Sequence, residues 1–236
     1  MPVDARPESG FLVLADISGF TKFVTATEIE HGAETTGALL ADVIEALVPT
    51  LEIQELEGDA VFALGPDRAT RSDAELIEAF GRALVAFKRR QVEMSLDASC
   101  RCRACAGVLA LRLKLIVHHG SFVRQSVAGR SRVAGPDVIL VHRLLKNGVE
   151  PATYVLFTGT AVQRIGIDPV ATRMQPYTGD YAYFGEVDGF VVSLDRAADG
   201  PPSEDEILLG LRSLLGDLAL DADPRPHYDL RPVVAA

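Results

Sequence analysis

The sequence predicts an α/β protein in which a mixed sheet carries helices on one or both faces. Three observations predict it. Short apolar runs of strand length alternate with segments whose apolar residues recur at helical spacing. Two of those runs flank the tight turn Glu57-Gly58-Asp59, which marks a hairpin. Glycine, proline and aspartate punctuate the chain between the periodic segments.

Residues 1–10 carry two prolines and two acids and read as a flexible lead-in. Residues 11–17 (FLVLADI) form a continuous apolar run with one acid, the pattern of a buried strand. Ser18-Gly19 ends it, and Ser18 is placed to cap the next helix. Within residues 38–48, Leu40, Val43, Ile44, Leu47 and Val48 share a helical face, and Pro49 stops the helix. Residues 50–56 and 60–64 are the hairpin strands, and Gly65-Pro66-Asp67 closes the unit. Asp73 opens a long helix with Leu76, Ile77, Phe80, Leu84 and Phe87 on one side. Lys88-Arg89-Arg90 complements the dipole near its end.

Residues 97–107 are a loop containing all three cysteines. Residues 108–118 alternate as a strand that ends at His119-Gly120, with 121–127 as its hairpin partner. Residues 136–145 form a short helix, 153–157 a strand and 160–165 another short helix. Residues 172–178 and 190–194 are the last strands, the second after a turn at Glu186-Val187-Asp188-Gly189. Residues 197–203 (AADGPPS) read as a linker. Ser203 with Glu206 is a capping box opening an amphipathic helix to about Leu218, and the remaining tail is extended.

With 236 residues, 48% of them hydrophobic and 24% charged, the chain suits one core with an appendage. Its net charge of -10 excludes non-specific nucleic-acid binding and disfavours an anionic membrane surface. No apolar run reaches the roughly 18–20 residues of a membrane helix, and residues 1–10 are not a targeting peptide, so the expected location is the cytoplasm. No G-x-x-x-x-G-K-[ST] loop or G-x-S-x-G elbow occurs, which leaves a P-loop NTPase and a serine hydrolase unsupported.

Asp16 interrupts an apolar strand, where an unpaired carboxylate is costly. Asp59 lies in the hairpin turn. If the first strand lies beside that hairpin, the two acids meet at one end of the sheet and call for a shared cation. Oxygen ligands select Mg²⁺ or Mn²⁺, ions held on nucleotides by a few carboxylates plus phosphate oxygens. The alternative is that Asp16 serves the Ser18 turn and Asp59 is a turn residue only.

Leu14-Ala15-Asp16-Ile17-Ser18-Gly19-Phe20-Thr21 resembles the opening strand of class III adenylate and guanylate cyclase catalytic domains. Leu56 to Ala63 (LEGDAVFA) resembles their metal-binding hairpin. His118-His119-Gly120, Val127-Ala128-Gly129, Gly135 and residues 138–144 resemble their later strand pair and helix, and residues 185–194 their closing strands. The resemblance implies a ferredoxin-like βαββαβ cyclase domain over residues 11–196, with a mainly antiparallel sheet and a Cys-rich insertion at 97–107. Residues 197–236 are then a helical extension. It implies a head-to-tail homodimer with sites across the interface. Metal would be held by Asp16, Asp59 and the carbonyl of Ile17, and a nucleoside triphosphate near Phe20 and Thr21, with Arg143 as the transition-state arginine.

The other half of that pattern departs. The family's base-selecting lysine falls on Glu55, its second base-reading residue on Arg132, and its ribose-orienting asparagine on Ile139. Glu55 and Arg132 reverse the sign of the base-reading pair, or else form a salt bridge across the dimer interface. Ile139 cannot donate a hydrogen bond.

Cys100, Cys102 and Cys105 form C-x-C-x-x-C beside Arg101 and Arg103, which favours thiolates and a structural zinc; a reduced loop or a redox switch are the alternatives. One of His118 and His119 is expected to face the core and the other solvent. Three functions follow: a nucleotide-binding cyclase relative with Mg²⁺ or Mn²⁺, an inactive cyclase-homology dimer acting as a zinc-stabilised scaffold, or a metal-dependent phosphohydrolase.

Overall fold

A computed structural model describes residues 6–26, 29–69, 72–96, 104, 107–150, 153–194 and 203–215. Cys100, Cys102 and Cys105 lie outside them. The elements are β1 (Glu8–Ser18), α1 (Phe20–Ala26), α2 (Ile29–Leu47), β2 (Glu52–Glu57), β3 (Ala60–Pro66) and α3 (Asp73–Leu96). Then come β4 (Arg112–Val127), β5 (Arg130–Ala134), α4 (Pro136–Arg143), β6 (Tyr154–Thr158), α5 (Gly159–Ile165), β7 (Gln175–Tyr181), β8 (Gly185–Ser193) and α6 (Glu204–Leu215).

One eight-stranded sheet runs β2-β3-β1-β4-β6-β8-β7, with β5 paired to the far part of β4. Among the described strands only β4 and β6 are parallel, and every other pairing is antiparallel. The mixed, mainly antiparallel sheet with helices is therefore as expected.

Alternation along the strands divides the core in two. Phe11, Val13, Ala15 and Ile17 of β1 face an inner layer with α2, α3, α5 and α6, which holds most of the buried apolar side chains. Leu12 and Leu14 face an outer layer covered by α4 and the β7–β8 aromatics. Asp16 is the next residue on the outer face. The capping box forms: Ser203 N donates to Glu206 Oε2 at 2.8 Å, and Glu206 N to Ser203 Oγ at 3.3 Å. Ile207, Leu211 and Leu214 of α6 join the inner core. Among the described residues no helix is long and apolar enough to cross a membrane.

Three local expectations are corrected. Helix α2 begins at Ile29 rather than residue 38, because tertiary burial of Thr35 and Thr36 overrides a polar, glycine-bearing stretch. Strand β4 does not end at His119-Gly120. It runs on to Val127 and turns at Ala128-Gly129, both with positive φ, into β5, which the sequence did not announce. Gly120 is instead a close-approach position: a Cβ there would lie 2.5 Å from the Asp137 carboxyl. Glu186 to Gly189 lie inside β8, and the hairpin turns at residues 182–184. Gly189 also serves packing, since its Cβ would meet the Phe157 carbonyl at 2.6 Å.

Candidate nucleotide and metal site

Register sets the first cluster. Asp16 of β1 lies between Ala60 of β3 and Lys114 of β4. Gly58, at φ +68, and Asp59 make the β2–β3 turn, so Asp59 adjoins Ala60 and thereby Asp16. The amide of Ile17 donates to the Asp59 carbonyl at 3.1 Å, tying that turn to β1. Lys114 Nζ lies 2.9 Å from Asp16 Oδ2, both side chains largely buried, and also donates to the Leu145 carbonyl at 3.1 Å.

The electrostatics follow from two carboxylates facing one ammonium. Burial, then the charge of Asp16, push the Asp59 carboxyl above the usual carboxylate range; its own backbone hydrogen bond and Lys114 act the other way without prevailing. Burial also pushes the neighbouring Tyr154 phenol up to about 12, with the Asp16 charge adding to the rise. One negative charge is left in excess. Among the described residues no group of three or more His, Cys, Asp or Glu side chains is placed to hold a metal, so the protein itself offers two carboxylates, Asp16 and Asp59, as hard oxygen donors at the sheet rim.

The second cluster lines two clefts that meet at α4. A groove of about 880 Å³ runs between the β2–β3 and β4–β5 hairpins, with Glu55, Glu57, Phe62, Arg132, Val138 and His142 on its walls. Arg132 Nη2 lies 3.8 Å from Glu55 Oε2 within one chain, which removes the need for the cross-interface salt bridge considered from sequence. A cleft of about 720 Å³ on the other side of the helix is lined by Ile139, His142, Arg143, Lys146, Asp180 and Tyr181. Ile139 is 54% exposed there, an apolar side chain presented to the cleft rather than to the core.

Thus Asp16 comes beside Asp59, Glu55 beside Arg132, and Ile139 beside Arg143. Phe20 and Thr21 open α1 just after β1; Phe20 is half-buried against the inner core and Thr21 is exposed. Sequence reasoning missed Lys114, Glu57 and His142. Lys114 is visible as one of two cations, with Arg112, in the alternating run RLKLIV, but its meeting with Asp16 depends on strand register. His118 is buried, with Nδ1 2.9 Å from Thr158 Oγ1, while the half-buried His119 bonds Asp67 at 3.1 Å.

The fold is that of the nucleotidyl cyclase catalytic domain. The guanylyl cyclase Cya2 superposes with a TM-score of 0.65 at 12% identity, over 85% of this chain and 100% of that one. The adenylyl cyclase CyaB from P. aeruginosa gives 0.62 at 15%, over 84% and 100%. The guanylate cyclase domain of RhGC from Catenaria anguillulae, solved in complex with GTP, gives 0.57 at 13%, over 79% and 97%. Within that fold, the chain belongs to the family described as "Protein of unknown function (DUF2652)", whose model matches residues 36–154. It is 30% identical over 173 residues to the uncharacterized protein Rv2561/Rv2562 of Mycobacterium tuberculosis, covering 73% of this chain and 80% of that protein.

Proposed function

We propose that this protein binds a nucleoside triphosphate together with Mg²⁺ or Mn²⁺ as a head-to-tail homodimer. The observation that carries the reading is the Asp16–Asp59–Lys114 cluster, an excess negative charge on the outer face of a cyclase-like sheet. Asp16, Asp59 and the Ile17 carbonyl would hold the metal, which supplies charge neutralisation on the phosphates and activation of the ribose 3′-hydroxyl. Lys114 stands next to those carboxylates as a second cation for phosphate oxygens. In the head-to-tail pair, the cluster of one copy faces the Glu55–Arg143 clefts of the other.

Glu55 offers only acceptors and Arg132 only donors. Guanine presents N1–H and N2–H donors on one edge and the O6 and N7 acceptors on another, so this pair matches guanine better than adenine. The structural neighbour solved with GTP supports the same substrate class.

Formation of a 3′,5′-cyclic nucleotide and pyrophosphate is slow in this reading. Ile139 gives the ribose no hydrogen bond, a loss of about 10²–10³ in rate. The same exposed isoleucine favours a second reading, a cyclase-homology dimer used as a signalling scaffold. Titration of the protein with GTP and ATP in Mn²⁺ tests the first: binding that needs Mn²⁺, prefers GTP and vanishes in Asp16→Ala supports it. Absence of any metal-dependent nucleotide binding removes it. A zinc at Cys100, Cys102 and Cys105 stands as a separate proposal, checked by elemental analysis of the native chain against Cys102→Ser.

A further inference from the structure

Lys114 has two partners, and they belong to different parts of the molecule. Its ammonium lies 2.9 Å from Asp16 Oδ2 on the sheet and donates to the Leu145 carbonyl at 3.1 Å. Leu145 sits in the single 3₁₀ turn Leu144–Lys146, which continues α4 directly from Arg143. Arg143 and Lys146 are exposed and line the same cleft.

The sheet beneath explains how that turn is held. Strand register sets Asp16 of β1, Lys114 of β4 and Tyr154 of β6 side by side. The Tyr154 phenol lies 2.9 Å from Asn147 Nδ2, and the Val149 amide donates to Asn147 Oδ1 at 2.9 Å. Leu144 is fully buried in the outer core. The turn therefore rests on an apolar side chain, a neutral hydrogen bond and an ammonium. Of these three anchors, the ammonium is the one shared with a carboxylate.

An ammonium has three donors, and its bond to a carboxylate is stronger than its bond to a neutral carbonyl. With the Lys114 and Asp16 side chains only 15% and 14% exposed, the pair is also less screened than a surface ion pair. Asp16 thus holds the ammonium where it reaches Leu145. Removing that negative charge, or setting another cation on it, releases the stronger tether. The flexible four-carbon stem then lets the head swing away.

We propose that Lys114 is a positioning residue for Arg143, and that its hold on the Leu145 carbonyl is set by the charge at Asp16. Occupation of the carboxylates is thereby felt in the cleft of the same chain. The link stands on this chain's own contacts, whereas its use rests on the function proposed above. In that reading Arg143 of one copy serves the other copy's site, so a divalent cation in one site loosens the arginine of the second.

Amide hydrogen exchange over residues 144–149 tests the link without metal, in the native chain, Asp16→Asn, Lys114→Met and the double variant. Each single change is expected to lower protection roughly three- to tenfold, the range of one hydrogen bond. The double variant should fall no further than Lys114→Met, because both changes break the same tether. Additive losses, or no loss in Asp16→Asn, overturn the link. Amides of β8 report whether a variant is folded. If the variants do not fold, the native chain decides by nuclear magnetic resonance: a coupling through the hydrogen bond between Lys114 Nζ and the Leu145 carbonyl carbon is expected, and its absence overturns the link. Mn²⁺ alone is the second probe, with its binding followed by electron paramagnetic resonance. Mn²⁺ that binds the native chain but not Asp16→Asn should lower protection of the turn in the native chain and leave it unchanged in Lys114→Met. Such binding with no change in the native turn also overturns the link. If the native chain binds no Mn²⁺, the metal site proposed above fails while the variants still decide the link.

Discussion

Lys114 Nζ stands 2.9 Å from Asp16 Oδ2, on neighbouring strands whose register sets the two residues opposite each other. The ammonium is the resident counter-charge of a two-carboxylate cluster. Replacing it in Lys114→Met leaves Asp16 and Asp59 without that partner and the Leu145 carbonyl without its donor. The expected cost is about 2 kcal/mol, below the figure for a fully buried pair because both side chains retain some solvent. For a chain of this size that lowers Tm by roughly 4–8 °C. Mn²⁺ should then raise the Tm of Lys114→Met more than that of the native chain. Equal metal responses in thermal scans would show that the two cations do not share a site.

Asp59 gives the opposite sign. Its carboxyl titrates above the unfolded value through burial and the Asp16 charge, so the folded state holds its proton more tightly. The ionised form therefore detracts from stability above the folded pKa, and the penalty fades as pH falls through it. Asp59→Asn removes the penalty. Its Tm at pH 7 should rise by about 2 °C, while metal-dependent nucleotide binding is lost. A lower Tm, or retained binding, contradicts the assignment of Asp59.

How much of this could be read from sequence depends on the range of the interaction. The mixed strand-and-helix pattern, the β2–β3 hairpin and the Ser203 cap rest on local patterns, and all appear, whereas the partner strand of β4 lies at 130–134 rather than 121–127. The misread turns fell at Gly120 and Gly189, where the missing side chain admits Asp137 and the Phe157 carbonyl rather than bending the chain. Local sequence does not distinguish those two uses of glycine. Asp16 stands out because it interrupts an apolar run, and Asp59 because it sits in the turn of the hairpin beside it. Lys114 and the His142–Glu57 pair depend on the register of β1 with β4 and on where α4 lands on the sheet. Neither is encoded in any short window.

His118 supplies a stability test with a defined pH window. Burial lowers its pKa below the ordinary 6.5, against the opposing pull of Asp137, so it is held neutral in the fold. On acidification the unfolded chain takes up the proton first. The stability from keeping His118 neutral is complete above about pH 6.5 and is lost as pH falls toward the folded pKa. The urea midpoint should drop between pH 7 and pH 5, and His118→Gln should flatten that part of the slope. An unchanged slope would show that His118 does not drive it.

Ile139 offers a gain of function. It is on the solvent-facing side of α4 with more than half its surface exposed, so a polar residue there creates no buried unsatisfied group. Its neighbour one turn on, Arg143, lines the same cleft. Ile139→Asn places a donor and an acceptor where the cleft now presents only methyl groups. If the proposed triphosphate site is correct, that side chain can orient the ribose and recover part of a loss of about 10²–10³. Cyclic product from GTP with Mn²⁺ should then rise at least about tenfold, with Tm within roughly 2 °C of native. The gain should vanish when Asp16→Ala is added, because orientation without the metal carboxylates has nothing to act on. Product that rises equally in the double variant, or that never rises while GTP binding is intact, favours the scaffold reading over the catalytic one.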